Sequence, residues 1–486
     1  MNIGEPSGSD LKESARRVAR MQTKLHLWAV TEPHRVFKDL YNLVCDPDFL
    51  AVAWDRVRAN KGGRTGGVDG VTPRSIAAGA RDGAFIGEVR DQLRSRAFRP
   101  LPTRERLIPK AGGRTRRLGI PTAADRLVQA SLKLVLEPIF EADFKPVSHG
   151  YRPKHRAQDA IADIHFFCSK GYEWVFEADI AACFDEISHP ALMGQIGRRI
   201  GDRRVLALVK AFLKSGIMTE GGRYEYTITG TPQGGILSPL LANIALTDLD
   251  RYYHRKWMMG KVDPALANMT RSNHWVRHKE PAYRLVRYAD DFVILVHGSR
   301  EQAEALWKDV PAVLAPTGLR LSETKTGLRH IDAGFDFLGW HIQRRRQRGS
   351  KRKYVYTYPS KKALASIVGK VRAITGDPRY ATLARLLDHL NRVVRGWCNY
   401  FRHGVSARTF NYLYKYMWWR VGRWLMKRHP KLGWRKIQRR YMSGYPAHRP
   451  AEDGTLLYMP QAEVITRYRR KGSIPTPWAR AAPTAW

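Results

Sequence analysis

The stretch "LVRYADDFVILV", residues 285–296, sets two adjacent aspartates, Asp290 and Asp291, inside an otherwise apolar run. Two like charges are expensive to bury in such a place and raise each other's pKa unless a cation compensates. Val286 and Phe292 to Val296 are strand formers on either side of Tyr288-Ala289-Asp290-Asp291. That pattern predicts a central hairpin presenting the aspartates at its turn. A divalent cation is the usual partner of such a cluster, and Mg²⁺ takes one or two carboxylates together with substrate phosphates. A third carboxylate, Asp179, also ends a β-run, in "WVFEADIAACFDEISHP" (174–190). Two metal ions about 3.5–4 Å apart can activate a hydroxyl and stabilise a leaving pyrophosphate.

Charge supplies the partner. The chain has 486 residues, with 84 Lys+Arg against 44 Asp+Glu, a formal net charge of +40. Solubility alone asks for a magnitude of only ~2–8 in a small domain. The excess calls for a polyanion, nucleic acid before an anionic membrane surface. No apolar stretch approaches the ~20 residues of a membrane-crossing helix, and no signal-peptide core precedes a small-residue cleavage site. Together with the carboxylates, a polyanionic partner points to nucleotidyl transfer in a soluble, intracellular protein. Cys45, Cys168, Cys183 and Cys398 are scattered without a C-x-x-C pair, which reads as buried reduced thiols, not a zinc site or a disulfide framework.

The remaining segments read as follows. Residues 1 to about 30 are polar and basic, a poorly ordered or RNA-facing extension. A helical period starts at Val36 and runs through Leu40, Leu43, Val44, Leu50, Ala53 and Val57. "NKGGRTGGVDG" (60–70) lacks a phosphate-loop signature and reads as a turn. Residues 98–122 read as strand, basic turn (Lys110, Arg114, Arg116, Arg117) and strand. "TGTPQGGILSPLLANIALTDLD" (229–250) is a Gly/Pro turn leading into an apolar helix. Residues 335–358 form a second hairpin with Gly349-Ser350 at its tip and a basic run suited to gripping a backbone. Helices follow Pro359. In one, Phe410, Leu413, Met417, Val421, Trp424 and Leu425 form an aromatic face read as core, with Lys415, Arg420, Arg423, Lys427 and Arg428 between them as nucleic-acid contacts. From Lys431 the chain is Pro/Gly-rich and basic, like an appended binding tail.

Seven ordered motifs now carry a resemblance. "RYADDFVIL" resembles the Y-x-D-D box of reverse transcriptases, "FEADIAACFDEI" their first aspartate motif and "GTPQGGILSPLLANI" their Q-G-x-x-x-S-P motif. "IPKAGGRTRRLGIPTAADRLVQ" and "SHGYRPKHRAQDAI" resemble the preceding fingers motifs. "FDFLGW" resembles the palm-to-thumb segment, and "LNRVVRGWCNYF" (390–401) the maturase thumb of group II intron-encoded proteins. Together they span about residues 36–430.

The resemblance implies an α+β right-hand polymerase. It divides the chain into an N-terminal extension (1–35), fingers and palm (36–340), a helical thumb/maturase domain (341–430) and a DNA-binding-like tail (431–486). It implies that Asp179 and Asp290 bind two Mg²⁺ ions, with Asp291 assisting and the Ile180 carbonyl contributing. Lys110 and Arg116 would hold the incoming triphosphate, Gln233 would lie along the dNTP, and Phe184 would exclude a ribose 2′-OH. Tyr288, Gly339, Arg344, Arg345 and Lys351 would meet primer and template, and Arg420, Arg423 and Lys427 would meet RNA. The implied partners are group II intron RNA, target DNA and dNTPs, with no membrane. Arg117 stands where the family usually has proline, which leaves open which of Arg116 and Arg117 faces the phosphates. With no C-x-x-C pair after Cys398, the chain resembles the subgroup lacking the H-N-H endonuclease, which takes its primer from elsewhere. The alternatives are a splicing cofactor with a vestigial polymerase, a reverse transcriptase of a defence or repair system, and one of a diversity-generating element. The last tends to carry S-Q where Ser238-Pro239 stands here.

The charge makes the first prediction. RNA affinity falls by about 10³-fold or more between 50 and 200 mM salt, the slope expected of several phosphate contacts; a Kd independent of salt contradicts the polyanion reading.

Overall fold

A computed structural model describes residues 8–109, 113, 115–259, 281–347, 349–445 and 448–479. Lys110 and Arg114 lie outside the described residues. At its centre is a four-stranded antiparallel sheet in the order Ala282–Tyr288, Asp291–His297, Trp174–Asp179, Gly327–His330. Phe292 to Val296 are all fully buried, because the sheet is covered on both faces. Phe176, Phe292, Ile294 and Val296 face a helical layer that includes Pro47–Ala59, Ala123–Glu141 and Ser238–Ala245. Val175, Val286, Val293 and Leu295 face helix Ala157–Cys168, the second hairpin and the C-terminal helices. This two-sided covering explains why the strand reads as a continuous apolar run instead of an alternating one.

Two smaller sheets flank the centre. Thr103–Pro109 pairs antiparallel with Thr115–Ile120, the strand–turn–strand read from the sequence, and parallel with Ile217–Met218. Trp340–Arg346 pairs with Lys353–Pro359 and with Phe335–Phe337, with Gly349 at the tip in a left-handed conformation (φ 76°). Helices Lys361–Gly376, Leu383–Phe401 and Ala407–Arg428 follow. Helix starts obey local chemistry: Asp46 caps Asp48 and Phe49 ahead of Pro47, and Ser188 caps Ala191 ahead of Pro190. All four cysteines are buried and unpaired. Among the described residues, no helix is long and apolar enough to cross a membrane.

The structure departs from the sequence reading in three places. The helical period from Val36 is interrupted. Phe37 bridges Ile200 in extended backbone, and helices occupy Tyr41–Val44 and Pro47–Ala59, because Asp46-Pro47 starts a new helix. The basic N-terminal segment is not loose. Gly8–Thr31 is a helix whose Val18, Leu25 and Ala29 are 2% exposed. Gln22 donates to the Leu134 carbonyl (2.7 Å), and His26 Nδ1 bonds the Pro138 carbonyl (2.8 Å).

The C-terminal segment is not a separate module either. It runs back across the body as a strap. The Thr466 amide bonds the Arg402 carbonyl, Tyr468 donates to Asp159 (2.8 Å), and Arg470 pairs with buried Asp163 (2.5 Å). Thr476 then reaches His26 Nε2 (3.0 Å), and Trp478, 8% exposed, donates to Gln22 and packs on the His26 ring. Its charges look solvated in sequence because their partners lie some 300 residues away. Trp478→Ala should therefore speed amide hydrogen exchange in residues 18–29 while leaving the central sheet protected. Exchange unchanged in that helix contradicts the strap.

Candidate active site

The register of the central sheet brings the three aspartates together. Asp179, last in its strand, is the Cα partner of Asp291, which also pairs with Tyr288 across the hairpin. Only Ala289 and Asp290 form the turn, and Ala289 takes a left-handed conformation (φ 60°). Ala182, three residues beyond Asp179, does the same (φ 40°). Non-glycine residues in this region store strain that the surroundings must hold.

For Ala289 the holder is Arg287, fully buried within the apolar strand. Its guanidinium pairs bidentately with buried Asp250 (2.8 and 2.5 Å) and donates to Asn243 Oδ1 (3.0 Å) and to the Ala289 carbonyl (2.8 Å). Asn243 in turn donates to the Gly150 carbonyl (2.9 Å). Gly150 lies so close that a Cβ there would sit 2.2 Å from the Ala289 amide nitrogen. The backbone at 147–149 bonds both polar groups of Arg287. The turn is thus fixed from two sides by groups that add no carboxylate to the Asp179–Asp290–Asp291 cluster.

The electrostatics are those of uncompensated acids. Asp290 is pushed above its ordinary 3.8 by desolvation and then by Asp179, against Arg116 and Lys325. Asp291 reaches the cleft surface, yet is pushed up to about 6 by desolvation among protein atoms, then by Asp290 and Asp179. Asp179 is paired with Lys325, a cation the sequence reading passed over. Among the described residues, no group of three or more His, Cys, Asp or Glu is already arranged around a metal position. The donor set nonetheless fits a hard divalent cation: two carboxylates lifted by desolvation and then by their acidic neighbours, and a third paired with a flexible ammonium.

Around the carboxylates, two loops are stitched together. The Thr231 amide donates to the Phe184 carbonyl (2.6 Å), and Gln233 Nε2 donates to Asp185 Oδ2 (3.1 Å). The Gln233 carbonyl accepts from the Gly119 amide (2.8 Å), which ties this loop to strand Thr115–Ile120. Phe184 meets Tyr151 edge-on, with ring centroids 6.4 Å apart. Tyr151, another residue the sequence reading missed, is half-exposed and has its phenol pushed up by burial and by Asp290. The two arginines have different surroundings. Arg117 is held by Glu105 (2.5 Å) and Glu225 (2.6 Å), whereas Arg116 acts on Asp290 and Tyr151.

The second hairpin divides the other candidates. The Leu338-Gly339 turn is backed by Tyr400, whose hydroxyl donates to the Leu338 carbonyl (2.8 Å) and whose phenol is pushed up by burial. Arg345 lies on the Tyr358 ring, and both it and Lys351 are exposed. Arg344 does not face outward as a nucleic-acid contact would. Asp332 (2.6 Å) and Glu173 neutralise it inside the protein. Of the three RNA candidates, Arg420 is turned onto Thr375 (2.9 Å) and the Arg372 carbonyl, whereas Arg423 and Lys427 are exposed.

With this geometry in hand, comparison with known proteins decides the family. The model of the reverse transcriptase (RNA-dependent DNA polymerase) family matches residues 108–342, and that of the group II intron maturase-specific domain matches residues 364–442. Group II intron-encoded protein LtrA of Lactococcus lactis subsp. cremoris is 30% identical over 440 residues, covering 78% of this chain and 72% of that protein. The chain belongs to the group II intron-encoded reverse transcriptase/maturase family. Protein YkfC of Escherichia coli (strain K12) is 36% identical over 383 residues, 74% of this chain and 98% of that protein. Among solved structures, a telomerase from Candida albicans bound to a fragment of telomeric RNA aligns over 75% of this chain and 66% of that one, at 12% identity and a TM-score of 0.38. This reverse transcriptase/maturase is an RNA-directed DNA polymerase that also assists splicing, with RNA as a partner, in a family that uses divalent metal ions.

The carboxylate cluster predicts a pH signature. A folded-state value of about 6 against 3.8 means folding favours the protonated Asp291, so its ionisation destabilises the metal-free protein progressively as pH rises from about 4 to about 6. In EDTA, the Tm advantage of Asp291→Asn over the parent should grow across that interval. A difference independent of pH contradicts the raised value of Asp291.

Proposed function

We propose that the chain works as a right-hand polymerase, with the central sheet as palm, the sheet around Thr103–Ile120 as fingers and helices Lys361–Arg428 as thumb. The observation that carries this is the register that sets Asp179 opposite Asp291 beside the Asp290 turn. Asp179 and Asp290 would hold two Mg²⁺ ions, with Asp291 and the Ile180 carbonyl assisting. When bound, the ions would lower the pKa of the primer 3′-hydroxyl and neutralise the leaving pyrophosphate.

The protein's own groups do the rest. Arg116, free of the carboxylates that occupy Arg117, binds the triphosphate together with Lys110. Gln233, held by Asp185, lies along the nucleotide. Phe184, braced by Tyr151 and the Thr231 amide, presents its ring to the sugar and disfavours a 2′-hydroxyl. Tyr288 and the Leu338-Gly339 turn seat the primer end, and Arg345 and Lys351 steady the duplex from the hairpin. Lys325 pairs with the Asp179 carboxylate until a metal takes its place. Arg423 and Lys427 serve intron RNA. dNTPs and target DNA complete the substrates of retromobility.

Splicing assistance needs basic surface and not the aspartates, so the two activities should come apart. Asp290→Ala with Asp291→Ala should abolish cDNA synthesis on poly(rA)/oligo(dT) while intron RNA binding and splicing assistance stay within about threefold of the parent. Loss of both activities in a folded protein contradicts the assignment.

A further inference from the structure

Helix Ala407–Arg428 has two faces of different chemistry. Phe410, Leu413, Met417, Val421 and Leu425 are at most 1% exposed and pack into the core. The opposite face carries a file of rings at helical spacing. Tyr412 is 50% exposed and Trp419 47%, with Tyr416 between them. Tyr412 and Tyr416 are nearly parallel (16°, centroids 6.4 Å apart), and Tyr416 lies 6.3 Å from Trp419. The Arg423 guanidinium sits over the Trp419 ring at 4.9 Å, and Met426, 51% exposed, continues the file. Exposed Arg408, Lys415 and Lys427 border the rings, and the helix contains no acidic residue. Among the described residues, none of Arg408, Lys415, Arg423 and Lys427 forms an ion pair. The sequence reading puts Phe410, Leu413, Met417, Val421, Trp424 and Leu425 on a core face and passes over Tyr412, Tyr416 and Trp419. In the structure Tyr412 and Trp419 fall on the far side from Phe410 and Met417.

A contiguous apolar file on the surface calls for a partner. The uncompensated cations around it select a polyanion. A second copy of this chain, with net charge +40, would bring the same cations against it. Aromatic rings in file, a guanidinium stacked on one of them and flanking cations are what unpaired nucleotides engage: bases on the rings, phosphates on the Lys and Arg heads. In an RNA duplex the base faces are already stacked, so a duplex offers this surface only phosphates. We propose that the Tyr412–Tyr416–Trp419–Arg423 face is a stacking platform for unpaired bases of the bound RNA. It lets the maturase hold loops or junctions of the folded intron. The proposal rests on the RNA-binding role assigned above and adds which RNA feature is held, and by which side chains.

The test uses the full chain and a 20-nucleotide oligo(U) carrying 4-thiouridine. Irradiation followed by tryptic mass spectrometry should place cross-links on the peptides 409–415 and 416–420. Replacing the three rings (Tyr412→Ala, Tyr416→Ala, Trp419→Ala) should weaken oligo(U) binding about tenfold or more, roughly the worth of one stacked base. Keeping the rings (Tyr412→Phe, Tyr416→Phe, Trp419→Phe) should hold it within about threefold, and a blunt 20-base-pair RNA duplex should bind both variants alike. The proposal is overturned by cross-links absent from these peptides, by equal losses in the Ala and Phe variants, by duplex binding lost in parallel, or by an effect of the Ala variant only on self-association or on capture by anionic phospholipid vesicles. Primer extension by the parent protein is read separately. If extension succeeds and the cross-link fails, the platform is wrong and the polymerase assignment stands; the reverse result separates them the other way.

Discussion

A fully buried arginine next to the carboxylate turn is the constraint on which the rest of the site depends. Arg287 occupies a strand whose neighbours are apolar and fully enclosed, and it is tolerated there because every part of its guanidinium is answered by Asp250, Asn243 or the Ala289 carbonyl. Removing one partner of such a pair leaves a charge buried and alone, at a cost of about 3–5 kcal/mol. The geometry gives the pair a further job. By holding the Ala289 carbonyl, it keeps that residue left-handed, and the left-handed residue makes a two-residue turn possible. The short turn in turn sets Asp290 and Asp291 against Asp179. Gly150 closes the other side of the turn at a distance that no side chain could share.

The site is therefore an electrostatic contrast built into one sheet. Near the end of its strand Arg287 forms a neutralised, fully buried pair with Asp250 of the neighbouring helix. A few residues on, the strands end in three acids: burial and then the neighbouring carboxylates push Asp290 and Asp291 up, and Lys325 pairs with Asp179. The surplus of positive charge elsewhere in the chain draws nucleic acid in. The surplus of negative charge at this one point reserves it for cations. That opposition between a basic surface and an acidic point lets one protein combine RNA binding with DNA synthesis.

Much of this could be read from the chain alone, for physical reasons. The Asp290–Asp291 hairpin was legible because two adjacent charges in an apolar run have few innocent explanations. The strands and turns of 98–122 and 335–358 were legible because strand formers flank Gly and basic tips. The pairing of Arg287 with Asp250 was not, since nothing local links residues 37 apart, although an arginine amid Leu285, Val286 and Phe292 was itself a sign of a buried partner. Lys325 was missed for the same reason: its partner Asp179 lies far away in sequence. The N-terminal helix and the C-terminal strap looked solvated because their polar residues find one another across most of the chain, as His26 and Gln22 find Thr476 and Trp478. The aromatic helix shows a finer failure. Helical spacing marked the face from Phe410 to Leu425 as core, and Tyr412, Tyr416 and Trp419, which fall outside that spacing, were passed over until the structure put them on the outward face.

The most direct test of the account is anomalous scattering from a crystal of the protein with Mn²⁺, a dideoxy-terminated primer on an RNA template, and the matching dNTP. The account predicts two Mn²⁺ peaks about 3.5–4 Å apart between Asp179 and Asp290, with Lys325 displaced from Asp179 and Arg287 unmoved. Density showing Lys325 still on Asp179, and no metal between the two carboxylates while the nucleotide is bound, would contradict it.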